Sequence, residues 1–184
     1  ALGAQLTKPN ARIHLKWVCA DSDSMNELVA QNIDVISTLD IPQKGWSDGQ
    51  WGIVQTQDDG SKERIASPYW DWGTFYLQIA QSILSGEWDS PNGKKEDRAV
   101  NYWWGIASGV VDLDFSEKLP EGVKALANML KQGIKNGTVD PFLRKVVSQE
   151  GVVHNDGTKT LSTAEILQMD WLCDNVIGTI PEFD

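Results

Sequence analysis

Short apolar runs alternate with helix-like stretches along the first half of the chain. Polar and apolar residues alternate over 12–18, which predicts a strand, and apolar runs over 33–39, 52–56 and 65–70 predict further strands. Apolar positions with helical spacing predict helices over 23–32 and 74–85, and 43–50 fits a weak helix. Successive strand-then-helix units predict an α/β fold with a mostly parallel sheet and helices on both faces.

The second half of the chain differs from the first in having longer polar segments between its predicted elements. Pro120 fits the first position of an amphipathic helix that ends at Asn136 and Gly137. The other elements are a polar loop over 88–101, a strand over 109–113, a β-hairpin from 142–147 and 152–154, and a helix from a capping-box sequence at 162–165 through Trp171.

The segment 65–76 joins the fourth predicted strand to its helix and carries two tryptophans beside a carboxylate. In an open α/β sheet, ligands bind outside the carboxyl ends of the strands, where the chain turns into a helix. Trp70, Asp71 and Trp72 lie at such a junction, and aromatic faces beside a carboxylate suit a ring with hydroxyl groups. We expect Trp70 to contact a ligand and assign Trp72 to the core, where it would begin the buried face of the helix.

Three aspartates follow predicted strand ends, namely Asp21, Asp40 and Asp59. Because the carboxyl ends of parallel strands converge on one edge, we expect these carboxylates and Trp70 to line one crevice. Each aspartate also fits a simpler role as a helix N-cap or a turn residue. That simpler role fits Asp21 better, whereas ligand contact is favoured for Asp59, which precedes Gly60 and no predicted helix.

Composition narrows the class of partner. The 184 residues form one α/β domain, 1–184, in the simplest interpretation, and 26 acidic against 16 basic residues give a net charge of −10. This balance argues against a nucleic-acid partner, which normally meets a basic face. No apolar run approaches the length of about 18 residues that a membrane helix needs.

Metal and catalytic chemistry are not indicated. Cys19 and Cys173 are far apart in sequence and are predicted to be small buried hydrophobes, while His14 and His154 have no partner at ligand spacing. We therefore expect no metal site and no cofactor. Motifs for a nucleophile elbow, a phosphate loop, a zinc protease and a dinucleotide site are missing, so we expect a binding protein and not an enzyme.

Several runs resemble one known family in the same order along the chain. They read ALGA and NARI at the start, NIDVI at 32–36, WDWGTFY at 70–76, ILSGEW at 83–88, YWWG followed by GVV up to 111, and an LSTAEILQMDWL tail followed by GTIP at 161–181. This set resembles the basic membrane protein family, the purine-nucleoside-receptor-like substrate-binding lipoproteins of ABC transporters. The similarity extends over nearly the whole chain.

The resemblance implies a type I periplasmic-binding-protein fold, in which two α/β lobes hold a nucleoside between them. The chain resembles the C-terminal lobe and begins without an initiator methionine or a signal peptide, so we expect a trimmed chain that lacks its N-terminal lobe. The implied partners are a nucleoside-like small molecule, an ABC permease and that missing lobe. The implied location is extracytoplasmic, at the cell surface or in the periplasm, with a lipid anchor on the full-length protein.

The resemblance also implies roles for individual residues. Asp59 corresponds to the aspartate that binds ribose hydroxyls, and Trp70 occupies a cleft-facing position that is a lysine in nucleoside receptors. Asp40 and Asp21 are further candidate ligand contacts. An alternative function is a carbohydrate-binding or ligand-sensing module on the same fold that takes no part in transport.

Overall fold

The computed structural model describes residues 1–19, 23–42, 44–45, 47–86 and 104–182. The chain divides into two compact units, one formed by Ala1–Ile36 with Val139–Asp184 and the other by Ser37–Thr138. The first unit is therefore built from both ends of the chain, and the second is a continuous segment between them. The prediction that 1–184 form one lobe stays a prediction.

The described helices and strands follow one another in a mixed order. The helices are α1 (Leu2–Thr7), α2 (Ser24–Ala30), α3 (Trp72–Leu84), α4 (Glu121–Lys135) and α5 (Thr163–Leu167). The strands are β1 (Ile13–His14), β2 (Val35–Ser37), β3 (Ile53–Thr56), β4 (Lys62–Trp70), β5 (Val111–Phe115), β6 (Lys145–Val147), β7 (Val153–Asp156) and β8 (Val176–Ile177).

The first unit joins the two ends of the chain through a short parallel pair. Strand β1 pairs with β8 in parallel, with Ile13 opposite Val176, and β6 pairs with β7 as an antiparallel hairpin. The buried core that these strands share consists of Leu2, Val146, Cys173 and Val176. Apolar side chains from α1, the hairpin and the C-terminal segment thus leave water together, which holds the two ends of the chain in one unit.

A four-stranded sheet has the order β2-β3-β4-β5, and its strands β3, β4 and β5 lie wholly in the second unit. Strand β4 pairs antiparallel with β3 on one side and with β5 on the other. Helix α4 is tied to β5 by Lys131, whose Nζ donates to Oδ1 of Asp112 at 2.7 Å. This hydrogen bond lowers the pKa of Asp112, so the carboxylate stays charged and keeps its partner.

The α/β class predicted from the sequence is confirmed. Parallel pairing is confirmed for β1 and β8, whereas β4 pairs antiparallel with both β3 and β5, contrary to a mostly parallel sheet. The reason lies in the turn between β3 and β4, where the Gln57 amide donates to the Ser61 carbonyl at 2.8 Å and Gly60 adopts a φ of +80°. A turn this short connects only antiparallel strands, because a parallel pair needs a long crossover. Residues 62–64, which precede the strand predicted over 65–70, therefore belong to β4.

Several other predicted elements are present with different bounds. The β-hairpin is confirmed as β6 and β7, and the capping box of α5 is formed by Ser162 and Glu165, although α5 ends before Trp171. Among the described residues of the weak helix predicted over 43–50, Asp48–Gln50 form a 3₁₀ turn. The strand predicted over 109–113 is present as β5 with later bounds, and it follows a 3₁₀ turn at Ile106–Ser108. The polar loop predicted over 88–101 lies outside the described residues.

The two cysteines differ in burial. Cys173 lies in the core with 6% of its surface exposed, as predicted, whereas Cys19 is exposed, so its assignment as a buried hydrophobe is wrong. Cys19 lies past the end of β1, beyond the two residues that pair with β8, and therefore has no sheet neighbour to cover it. Across the described part of the chain, no helix combines the length and the apolar character needed to cross a bilayer.

Candidate functional site

A cleft forms in the second unit where β4 extends past the end of β3. Ile53, the β3 residue farthest from the hairpin turn, pairs with Ala66, so the last four residues of β4 pair only with β5. Pro68 is tolerated in this overhang because its missing amide hydrogen removes no bond to β3. The overhang ends at Trp70, and the chain then turns into α3.

The opposite wall of the cleft comes from the segment after β2. The Gly52 amide donates to the Leu39 carbonyl at 2.7 Å, and the Gly52 carbonyl accepts from the Thr38 amide at 2.8 Å. These bonds hold the end of β2 beside the start of β3. The residues that follow, from Asp40 to Pro42, consequently lie next to the β4 overhang.

The cleft has a volume of about 580 Å³, within the range of small-molecule sites. Aromatic side chains dominate its lining, with carboxylates among them. The lining residues are Asp40, Ile41, Pro42, Trp51, Ser67, Pro68, Tyr69, Trp70, Trp72 and Asp114.

Trp70 and Trp72 both present surface to this cleft. Trp70 is 40% exposed and Trp72 is 56% exposed, so the assignment of Trp72 to the core is wrong. Instead of filling a core, the Trp72 ring packs on its own helix, edge-on against Phe75 at 5.7 Å and tilted against Tyr76 at 6.2 Å between ring centroids. Contacts three and four residues along a helix are enough to orient a side chain at its first turn.

Asp71 holds the turn between the two tryptophans. Its Oδ1 accepts from the Thr74 amide at 2.9 Å and its Oδ2 accepts from the Thr74 hydroxyl at 2.8 Å, so it is the N-cap of α3. The bond from the Thr74 amide is the largest cause that lowers the pKa of Asp71. Asp71 is thus committed to the helix start, and its cap fixes the backbone on which Trp70 and Trp72 lie.

Arg64 fixes the remaining aromatic wall from behind. Its guanidinium lies 4.5 Å from the centroid of the Trp51 ring, and its Nη1 donates to Oδ2 of Asp114 at 3.1 Å. Both partners line the cleft, whereas Arg64 is not among the described lining residues. A planar cation between an aromatic face and a carboxylate restricts both side chains together.

The structure places the four aspartate and tryptophan candidates differently. Asp40 is half-buried and lines the cleft with Trp70, so these two predicted residues are brought together. Asp21 lies outside the described residues. The roles of Asp40, Trp70 and Asp21 in ligand binding stay predictions.

Asp59 lies at the hairpin turn, away from the cleft. Its Oδ1 accepts from the Ser61 amide at 2.9 Å, and its pKa is lowered by hydrogen bonding to Ser61. The turn adjoins Lys62 at the start of β4, whereas Trp70 is the last residue of that strand, roughly 26 Å away at about 3.3 Å per residue. Asp59 and Trp70 therefore do not share a crevice in this structure. Because β3 and β4 are antiparallel, their carboxyl ends lie at opposite edges of the sheet. A ligand role for Asp59 stays a prediction.

Sequence reasoning missed Trp51, Tyr69 and Asp114 as members of the cleft. The position of Tyr69 next to Trp70 could have identified it, and Trp51 could have been identified as a tryptophan directly before a predicted strand. Asp114 follows Asp112 in an alternating strand, which indicates a polar face but no ligand. Only the antiparallel register, with Asp114 opposite Ser67, brings it to the cleft.

The described lining combines aromatic rings with two carboxylates. It contains no histidine, cysteine, lysine or arginine, and the Ser67 hydroxyl donates to the Pro68 carbonyl at 3.0 Å. Within the described ranges, no group of three or more histidine, cysteine and acidic side chains is arranged to hold a metal ion. Aromatic faces with carboxylate acceptors are instead the features that orient a ring-shaped ligand.

The first unit has a cavity of its own, with a volume of about 360 Å³. Trp17 lines it together with Leu28 and Pro181, and the Trp17 indole donates to the Thr179 carbonyl at 2.8 Å. This bond turns the polar edge of the indole toward the protein backbone. This cavity is a second candidate binding site, and a variant of Trp17 can serve as a control for a variant of Trp70 in the cleft.

The α/β fold with its mixed sheet is consistent with a lobe of a periplasmic binding protein. No family model matches the chain. A purine-binding protein of Brucella abortus is 24% identical over 201 aligned positions, which cover 98% of this chain and 53% of that protein. A Haloferax volcanii protein, whose name assigns it to glucose binding for an ABC transporter, is 27% identical over 154 positions, covering 76% of this chain and 37% of that protein.

These similarities support a relationship to substrate-binding proteins. The chain spans about half the length of the first relative and about a third of the second. Membership of the basic membrane protein family, and the position of the chain as a C-terminal lobe, stay predictions.

Proposed function

We propose that this chain is the ligand-binding lobe of an ABC-transporter substrate-binding protein and that it holds a nucleoside or a similar polar ring compound in the cleft at Trp70. The observation that carries the proposal is the overhang of β4, which brings Trp70, Trp72 and Asp40 to one opening. Trp70 supplies a face for stacking, and Asp40 accepts hydrogen bonds from hydroxyl or amino groups of the ring.

The names of the two relatives support a ring-shaped ligand. One is called a purine-binding protein and the other a glucose-binding protein, and both ligands are rings with several hydrogen-bonding groups. The second name also includes an ABC transporter, which favours delivery to a membrane permease over the alternative of a sensing or carbohydrate-binding module. No catalytic role is proposed.

We further propose that the full-length protein has a second lobe that closes over the cleft and that it belongs to the basic membrane protein family. The greater length of both relatives supports a longer two-lobe protein, and the MDWL tail supports the family. In this proposal the protein works outside the cytoplasmic membrane, attached by a lipid anchor. Asp21 and Asp59 are secondary candidates for ligand contact, after Trp70 and Asp40.

The proposal is tested by calorimetric titration of the full-length protein with adenosine, guanosine and glucose, after native mass spectrometry has identified any ligand that co-purifies. We expect at least one ring compound to bind, and we expect Trp70→Ala to weaken it by about tenfold or more, the size of a lost stacking contact. Trp17→Ala, in the cavity of the first unit, is the matched control and is expected to leave the affinity unchanged. Binding that depends on Trp17 and not on Trp70 would assign the ligand to the other cavity.

A further inference from the structure

The charged groups of the cleft have one sign. The charged side chains among its described lining residues are Asp40 and Asp114, both acidic, and no lysine or arginine is among them. Arg64, which is not among the lining residues, donates a hydrogen bond to Asp114 and lies over the Trp51 ring, so its charge interacts with two residues that line the cleft. An anionic ligand would therefore meet carboxylates in the cleft without a lining cation to offset them.

The aromatic lining adds to this preference. Trp51, Tyr69, Trp70 and Trp72 surround the same opening, and the face of an aromatic ring carries a negative quadrupole. A cation held against such a face is attracted to it, most strongly by tryptophan. Aromatic faces and carboxylates thus act on the charge of a ligand in the same direction.

We infer that the cleft selects a positively charged ring compound over a neutral ring of the same shape and rejects the anionic counterpart. The inference rests on the proposed function, because it names the charge of the ligand that occupies the same cleft. A protonated or methylated ring nitrogen, or an ammonium group on the ring, provides the required charge.

Asp40 is the main source of the selectivity. Asp114 is paired with the Arg64 guanidinium, which compensates its charge, and its side chain is 58% exposed. Asp40 is half-buried and lines the cleft, and burial makes a carboxylate act more strongly on a neighbouring charge. Removing the charge of Asp40 should therefore reduce the discrimination more than removing that of Asp114.

The test uses three aromatic probes of similar size and different charge: benzyltrimethylammonium, benzyl alcohol and benzenesulfonate. Each is titrated into the full-length protein, and binding is followed through the indole NMR signal of Trp70, assigned with Trp70→Phe. We expect the ammonium probe to bind about threefold to tenfold more tightly than the alcohol, and the sulfonate to bind most weakly. Asp40→Asn should remove most of this difference, while Asp58→Asn, on the exposed hairpin turn, should preserve it.

The outcomes separate this inference from the proposed function. Equal or tighter binding of the alcohol or sulfonate overturns the charge preference, even if nucleosides bind through Trp70 and the proposed function stands. Failure of the ammonium probe to shift the Trp70 signal also overturns it. A charge preference that survives Asp40→Asn but is lost in Asp114→Asn would overturn the assignment of Asp40 as its main source.

Discussion

The guanidinium of Arg64 lies 4.5 Å from the centroid of the Trp51 ring and supports it from outside the cleft. The same guanidinium bonds Asp114 at 3.1 Å, so one cation positions an aromatic wall and an acidic wall together. Only 17% of the Arg64 side chain is exposed, which reduces the screening of both interactions by water. Arg64 is thus a positioning residue for a cleft that it does not line.

Replacing Arg64 should therefore weaken ligand binding without removing a ligand contact. We expect Arg64→Met to reduce affinity by about threefold to tenfold, because Trp51 and Asp114 lose their common support. Arg64→Lys should recover part of the loss, since lysine keeps the charge but not the planar fork. Calorimetry on the full-length protein measures both changes.

The matched control is Lys118→Met, which removes a different ion pair on the same strand, to Glu63 at 2.6 Å. The Lys118 side chain is 78% exposed, and exposed pairs contribute little. An equal loss of affinity in Lys118→Met and Arg64→Met would contradict a specific role for Arg64.

Gly52, which holds the end of β2 beside the start of β3, should tolerate substitution poorly. It has a φ of +74°, and a Cβ atom there would lie 2.7 Å from the Ala66 carbonyl oxygen. We expect Gly52→Ala to cost about 2–4 kcal/mol in the free energy of unfolding, from backbone strain and steric overlap. Denaturant unfolding of the chain measures this cost.

Gly60→Ala is the control for Gly52→Ala. Gly60 has a similar φ of +80° but no heavy atom within 4 Å of an added Cβ, so its cost should be about 1–2 kcal/mol from strain alone. Equal costs at the two positions would show that the close approach of Gly52 to β4 is not present in solution.

The N-terminus of α5 should be less stable at low pH, because its capping box includes the Glu165 carboxylate. Its pKa is lowered to about 2, first by the Ser162 backbone amide, which donates to Oε2 at 2.7 Å, and then by the Ser162 hydroxyl and Lys159. Because the folded pKa is depressed, the stabilisation is present above the ordinary value of 4.5 and is lost as the pH falls toward 2.

The pKa of Glu165 is measured by following its carboxyl carbon by NMR as the pH is lowered. Lys159→Met should raise it partly toward 4.5, since the Ser162 bonds remain. Glu165→Gln should flatten the pH dependence of stability over the same range. A Glu165 carboxyl that titrates near 4.5 in the unmodified chain would contradict the capping box.

The elements that sequence predicted best are those fixed by local chemistry. The α5 start follows from the spacing of Ser162 and Glu165, and the α4 bounds follow from Pro120 and the apolar spacing behind it. Both signals lie within a few residues of the element that they specify. For that reason they do not depend on which strand pairs with which.

The strand order of the sheet and the residues of the cleft depend on which strands pair and in which direction, and this is not determined by residues that are close in sequence. The prediction of a mostly parallel sheet gave the strands at 52–56 and 65–70 the same direction, whereas the tight turn at 57–61 reverses the direction of β4 relative to β3. That reversal moved Asp59 away from Trp70 and left Asp40 beside it. Trp72 was assigned to the core because helical spacing identifies an apolar face but not what covers it.

The affinities of Asp40→Ala and Asp59→Ala, compared in the full-length protein with the ligand that co-purifies or with adenosine, test the central claim most directly. We expect Asp40→Ala to weaken binding by about tenfold or more, the size of a lost hydrogen bond to a charged group, and Asp59→Ala to leave it unchanged. Loss of binding in Asp59→Ala with normal binding in Asp40→Ala would contradict a ligand site at the Trp70 end of β4.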